Sequence, residues 1–417
     1  MSRTGKPEFF YGYIIVIAAF LMMVLGWGTF YSFGVFFESL LAEFGGTRVL
    51  TSGAFAAGLL VAGFMGIIAG KLTDRLGSRI VSTACGLFVG LGYLLMSQIN
   101  AVWQLYLLYG VLIAVGISGF WAPLTSTVAR WFVERRGLMT GIVVSGIGFG
   151  TLVIAPLASR LISAYDWRIS YIILGSITLV LLLGAAQFLK RDPHQIGQLP
   201  YSKDKVKQES LVPRARDFSF QEAIRTRQFW MVCAIYFCFG FSLQTAMVHI
   251  VPHAIGLGIS AVNAATILAA FGGISIVGRI TMGSASDRLG AKRCLVFALI
   301  LMSAALFWLQ LARELWMFYL FGAIFGFAYG GLSALQSLAT AELFGLSAVG
   351  VLVGNFGFSF TIGGAVSPVL SGYIFDVTGS YNLAFLICAI VALIGCVLAL
   401  SLTPPIRLEG KGEFAYE

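Results

Sequence analysis

Gly70-Lys71-Leu72-Thr73-Asp74-Arg75-Leu76-Gly77-Ser78-Arg79 returns 213 positions later as Gly283-Ser284-Ala285-Ser286-Asp287-Arg288-Leu289-Gly290-Ala291-Lys292, each copy standing between long apolar stretches. A decapeptide kept as G-x-x-x-D-R-L-G with a basic residue soon after, at equivalent places, describes a chain of two similar membrane halves. Asp74 and Asp287 can hold an arginine or a helix-end dipole at the membrane edge, and the glycines let helices approach closely.

Composition leads to the membrane independently. The chain is 59% hydrophobic and only 11% charged, against roughly 25% charge in a soluble domain. Its 50 glycines suit close helix packing. Cys85, Cys233, Cys238, Cys294, Cys388 and Cys396 have no metal-ligand spacing and fall in or beside apolar runs. They read as small core residues, with no disulfide framework and no metal site.

A membrane helix needs about 20 apolar residues, and the chain divides into twelve such stretches, near 11–37, 51–69, 79–99, 102–129, 138–159, 168–188, 229–254, 262–283, 292–311, 315–340, 347–372 and 381–403. That is an N-terminal six-helix bundle over 1–188, a polar linker over 189–228, a C-terminal six-helix bundle over 229–403 and a tail over 404–417. The linker carries nine Lys and Arg residues and no sustained apolar period; an amphipathic helix over 219–227, lying on the lipid surface, is the one element expected in it. Arg3 and Lys6 before an apolar run resemble a signal peptide, but the run is too long and lacks a small-residue cleavage site, so it stays as the first helix.

With both termini cytoplasmic, 22 of the 27 Lys and Arg lie on the cytoplasmic side; Arg48, Arg160, Arg168 and Arg313 lie outside, and Arg279 remains. This positive-inside bias implies a multi-pass protein of the inner or plasma membrane. It also accounts for the net charge of +9 without nucleic acid, leaving the lipid bilayer as the charged partner.

Arg279 stands eight residues before Asp287, about 12 Å along a helix and so inside the bilayer. A charge there costs roughly 2.5 to 3.5 kcal/mol unless it meets a wet cavity or a partner. The apolar spans offer no evident acidic partner, and the equivalent position in the first half is Gly66. Snorkelling to the interface is one reading. An anion site is the other, because a guanidinium grips a carboxylate through two parallel hydrogen bonds.

The repeated loop resembles that between the second and third helices of each half in the major facilitator superfamily. Three further stretches resemble its monocarboxylate transporter family. Glu8-Phe9-Phe10-Tyr11-Gly12-Tyr13 is similar to that family's acidic-Gly-Gly-aromatic-Gly-aromatic opening, and Trp131-Phe132-Val133-Glu134-Arg135-Arg136-Gly137-Leu138 matches the spacing of its fifth-helix start. Arg279 falls at its helix-eight arginine, which by the resemblance binds the substrate carboxylate. The resemblance implies an all-α membrane protein of twelve transmembrane helices in a 6+6 major facilitator fold, its halves related by a pseudo-twofold axis. It also implies a secondary transporter of small monocarboxylates such as lactate, pyruvate or a short-chain acid, working by alternating access.

There are departures. The Asp of proton-coupled members, one turn before the arginine, is Ser275 here; the helix-one lysine is Gly34; and Glu134 replaces the usual fifth-helix lysine. The related oxalate/formate exchangers add a cation in helix eleven, where this chain has Asn355-Phe356-Gly357-Phe358 and none. One buried cation argues for a monoanion.

His249 and His253, four apart on one helix face near the outer mouth, are candidate proton sites; a hydrogen-bonded interfacial histidine beside Pro252 is the alternative. Central helices of this fold place Trp27, Tyr31, Trp121, Ser145, Gln244, Tyr329, Asn355 and Phe358 as candidate lining residues, and the small neighbours of Trp121 and Tyr329 favour those two. Asp74, Arg75, Asp287 and Arg288 are candidates for a conformational latch. No nucleophile and base arrangement or phosphate loop is present, so the chain reads as a carrier rather than an enzyme, with no cofactor, and is expected to work as a monomer. A proton is a candidate co-substrate. Alternatives are an anion exchanger, an aromatic amino-acid carrier, a drug/proton antiporter, and a non-transporting membrane sensor.

Overall fold

A backbone in hydrocarbon has to satisfy its own N–H and C=O groups, so each long apolar run becomes a helix. The structure, a computed structural model, describes residues 10–132, 136–193, 198, 218–345 and 349–403. Among the described residues, twelve helices are long and apolar enough to span a membrane: α1 Gly12–Phe44, α2 Arg48–Thr73, α3 Ser78–Met96, α4 Val102–Val128, α5 Leu138–Ala164, α6 Trp167–Gln187, α7 Arg227–Gly256, α8 Ala261–Ser286, α9 Ala291–Leu309, α10 Leu315–Gln336, α11 Val351–Thr378 and α12 Asn382–Leu400. Each of the twelve expected stretches is a helix.

The differences from expectation are local. Helix α1 runs to Phe44 rather than stopping near 37, broken only at Ser32, because Phe33, Phe36, Phe37 and Leu40 keep one face buried to its end. Gly45, at φ 57, then turns the chain in the left-handed region that suits glycine. Trp131, read from sequence as opening the fifth helix, instead closes a helix over Trp121–Trp131. It is fully buried against Phe10 and Tyr11, and its indole N–H donates to the Lys190 carbonyl, which pins the end of the helix there. Glu134, the side chains of Asp74 and Asp287, most of the linker and the tail lie outside the described residues. The expected helix over 219–227 is a single turn, Phe220–Ala223, capped by Ser219 and Glu222. One side of it packs on protein: Phe218 and Ala223 are buried, and the Phe218 N–H donates to the Phe344 carbonyl.

Within the first half, α1 lies along α5 and α3 along α6; within the second, α7 lies along α11, α8 along α10 and α9 along α12. The halves meet along two helix pairs, α5 with α8 and α2 with α11, and where the far end of α1 crosses α7. Glycine makes these contacts close enough for backbones to touch. A Cβ built on Gly148 would stand 2.6 Å from the Gly272 carbonyl oxygen, and one on Gly34 would stand 2.6 Å from that of Met247.

The same contacts show which way the molecule is open. On the side away from the linker, α2 and α11 are sealed: a Cβ on Gly372 would lie 2.9 Å from the Arg48 carbonyl, and one on Gly364 would lie 2.8 Å from Leu59 Cδ2. Toward the linker, Gly66 on α2, Gly354 on α11, Gly141 on α5 and Gly283 on α8 have nothing within 4 Å of a Cβ position. The α2–α11 pair is therefore sealed on the far side, while these four glycines have open space beside them toward the linker.

Candidate functional site

Arg279 sits where the two halves meet, and the packing of α8 explains how it is held. Gly326 and Gly330, four apart on α10, press the α10 backbone against α8 at Phe271 and Ser275, and a Cβ on Gly330 would also lie 3.0 Å from the Arg279 amide nitrogen. This brings Tyr329, which lies between those glycines, directly beside Arg279. Its ring stacks on Phe271 at 5.4 Å and 6°. Its hydroxyl accepts from Arg279 Nη2 at 2.9 Å, and the guanidinium lies 5.1 Å from the ring centroid.

On the other side, the Gly148–Gly272 approach brings α5 close enough for Arg279 Nη1 to donate to the Val144 carbonyl at 3.2 Å. The cation is 8% exposed, and its Nε–H is buried without a partner. Its hydrogen-bond partners among the described residues are thus a carbonyl and a phenol, both neutral. Ser275, one turn away where an Asp would pair with it, donates instead to the Gly272 carbonyl at 2.7 Å. A guanidinium with one N–H unpaired and no counter-charge among the described residues keeps a donor free for a further acceptor.

A second cluster forms around Tyr31, which accepts a long hydrogen bond of 3.4 Å from Gln244 Nε2 and whose ring lies 5.6 Å from that of Trp27. Gln244 is fully buried, and its Oε1 and the Trp27 indole N–H both lack a partner. Trp121, 41% exposed, meets Trp27 edge-on at 6.5 Å and so joins this cluster rather than the Arg279–Tyr329 pair. Three other residues expected to line the cavity are differently engaged. Ser145 and Asn355 bond to carbonyls of their own helices, those of Ile142 and Val351, while Phe358 is 47% exposed.

The histidines stand apart from this site, toward the far side. His249 is fully buried; its Nε2 lies 2.8 Å from the Pro368 carbonyl and its Nδ1 lies 3.1 Å from the Tyr381 hydroxyl. A carbonyl only accepts, so the proton belongs on Nε2, and Nδ1 takes the Tyr381 hydroxyl proton. His253, one turn on, packs its ring on Phe318, Phe385 and Tyr381, with Nε2 unpartnered. Arg75 and Arg288 are exposed at the linker side. Sequence reasoning missed two parts of these sites: the Val144 carbonyl, a backbone group with no side-chain signature, and Tyr381, which precedes α12 and becomes relevant only once α7 and α2 are placed beside it.

The sequence model of the family described as Major Facilitator Superfamily matches residues 16–284 and 257–415. Similar curated proteins include Monocarboxylate transporter 12 of Mus musculus, 26% identical, with 95% of this chain and 86% of that protein covered. Monocarboxylate transporter 13 of Rattus norvegicus is also 26% identical, with 96% and 91% covered. Among solved structures, a bacterial homolog to the human lysosomal transporter Spinster, in an inward-facing and occupied conformation, aligns with a TM-score of 0.72 at 15% identity, covering 95% of this chain and 97% of that one. That likeness shows a common fold.

Proposed function

The chain belongs to the Major Facilitator Superfamily, and from that premise we propose that it carries a small monocarboxylate, of the lactate, pyruvate or short-chain acid type, by alternating access. As a member of that family it is a multi-pass membrane transporter of a small molecule, not an enzyme. One observation carries the choice of an anion: Arg279 is buried at the junction of the halves with an unpaired N–H and, among the described residues, only neutral partners. A carboxylate supplies the missing charge and accepts from the guanidinium edge, offsetting the cost of a cation at that depth. The names of the similar curated proteins support the same class.

In this reading the bundles over 1–188 and 229–403 rock about the site. Tyr329 holds the guanidinium, Trp27, Tyr31 and Trp121 shape the wall on the first half's side, and Gln244 of α7 meets Tyr31 from the second half. Asp74, Arg75, Asp287 and Arg288 latch the linker side in the opposite state. Both termini are cytoplasmic, in the inner or plasma membrane, as the Lys and Arg distribution supports, so the far side is the outer side. The carrier acts as a monomer. Where transport is coupled to a proton, His249 is the group through which it passes, since the family's Asp and Lys positions are Ser275 and Gly34. A second reading, anion exchange without a proton, is favoured by Ser275, which leaves Arg279 no carboxylate to discharge it between cycles. Uptake of a panel of labelled acids into proteoliposomes, at two external pH values and with or without internal anion, tests both. Accumulation driven by the pH gradient supports symport; dependence on internal anion supports exchange. Uptake of no monocarboxylate refutes the proposal.

A further inference from the structure

The far side is closed by a specific device as well as by helix packing. Helix α2 begins there, and the first amides of a helix lack partners of their own. The amides of Arg48 and Val49 donate to the two carboxylate oxygens of Asp376, at 3.0 and 3.1 Å, across the interface from the end of α11. The Thr47 hydroxyl takes the next amide, that of Leu50. The Arg48 side chain crosses in the same direction. Its Nη1 donates to Glu38 of its own half at 2.7 Å and to the Tyr381 hydroxyl of the other half at 2.9 Å. Its guanidinium carbon lies 4.1 Å from the centre of the Phe375 ring.

Gly372 makes room, since a Cβ there would press on the Arg48 carbonyl and on the Ser52 hydroxyl. Tyr381 in turn donates to His249. Burial pushes the Tyr381 phenol up, against the pull of Arg48, so the hydroxyl keeps its proton for that bond. The Arg48 side chain is 13% exposed, so its charge is screened little by water. Glu38, Arg48, Tyr381, His249 and the Pro368 carbonyl form one continuous chain of hydrogen bonds from the first half into the second.

We propose that Arg48 and the first turn of α2, seated in the Phe375–Asp376–Tyr381 socket of the second half, are the bolt that holds the far mouth shut, and that this bolt must be drawn for the carrier to open on that side. The proposal holds whichever anion is carried, because nothing in the device touches the Arg279 site. It differs from the linker-side motifs at Asp74 and Asp287 in place and in the state it secures.

The test uses the full chain in detergent with Ser52→Cys as reporter. Ser52 is fully buried, facing Gly372, so its labelling by a maleimide reports opening of the far mouth; the same protein without this cysteine supplies the background. Arg48→Gln is expected to raise the labelling rate about tenfold. Asp376→Asn and Tyr381→Phe, which keep charge and packing at Arg48, should raise it severalfold. Arg168→Gln is the control: Arg168 pairs with Glu43 and with the Ser97 and Ile99 carbonyls, all in the first half, so the rate should not change. An unchanged rate in both Arg48→Gln and Asp376→Asn, with melting as in the parent, overturns the proposal. Equal acceleration by Arg168→Gln overturns it too, since it would mean general loosening. If Arg48→Gln does not fold, the Asp376→Asn and Tyr381→Phe rates decide.

Discussion

The guanidinium of Arg279, in the second half, donates to the backbone carbonyl of Val144, in the first, at 3.2 Å. A bond of this kind spans the interface between the halves yet depends on no side chain of α5. Its partner is fixed by the helix itself, so the cation is aimed by backbone geometry.

Replacing Arg279 with Lys should damage transport although the charge survives, because an ammonium cannot reach Val144, Tyr329 and a carboxylate together. The loss of a charge-assisted hydrogen bond, about 1.5 to 3 kcal/mol, corresponds to a KM raised roughly ten- to a hundredfold in proteoliposome uptake. Arg279→Gln should abolish uptake. A folded Arg279→Gln carrier with unchanged affinity and rate would remove Arg279 from the site.

Tyr329→Phe keeps the stack on Phe271 and deletes only the hydroxyl that holds Nη2. KM should rise several-fold, in line with about 1 kcal/mol for one hydrogen bond, while kcat and the melting temperature stay near those of the parent. A fall in Tm of many degrees would instead make Tyr329 a packing residue.

Two alanine substitutions on α5 should behave oppositely. Gly148→Ala forces a methyl group against the Gly272 carbonyl and Ser275, and overpacking of this kind costs about 1 to 3 kcal/mol; both Tm and exchange rate should drop. Gly141→Ala enters open space and gains helix propensity, up to about 1 kcal/mol, so Tm should hold or rise. Thermal unfolding with a counterflow assay measures both.

Asp74→Asn and Asp287→Asn should lower turnover more than affinity, since the repeated motifs stand at the linker-side helix ends over 48–76 and 261–289, away from Arg279. Normal exchange rates in both variants would argue against a linker-side latch.

His249→Gln preserves an acceptor for Tyr381 and a donor for the Pro368 carbonyl but cannot take up a proton. Uptake driven by an inward pH gradient should therefore weaken in His249→Gln while exchange at symmetrical pH persists. Full pH-driven uptake in His249→Gln would show that the proton travels elsewhere, and a parent protein indifferent to the gradient would favour the exchanger.

Much of this is legible in the sequence, and the rest is hidden for definite reasons. The repeated decapeptide and the twelve apolar runs carry the fold because a bilayer admits few alternatives. Arg279 stands out because charge is so costly at its depth. Tyr329 is marked by its flanking glycines, whose packing role is a local signal. By contrast, Arg48 reads as one of four ordinary charges outside the spans, Asp376 as a loop residue and Tyr381 as the first residue of the last apolar stretch; only the approach of α2, α7 and α11 joins them. The Trp131 helix end depends on Lys190, 59 residues away, and no period within either segment records that pairing.

The Gly148–Gly272 crossing also sets a gearing. Two rods that touch at one point tilt about that point, and each site on a rod moves in proportion to its distance from the fulcrum. Along α8, Arg279 is seven residues from Gly272, about 10 Å, and Ser286 is fourteen, about 21 Å. Any tilt of α8 on α5 thus carries the linker mouth about twice as far as the guanidinium, while the stretch toward Ala261 swings the opposite way. In the alternating access proposed above, a lever of this kind opens one mouth as it shuts the other and moves the guanidinium about half as far as the linker mouth.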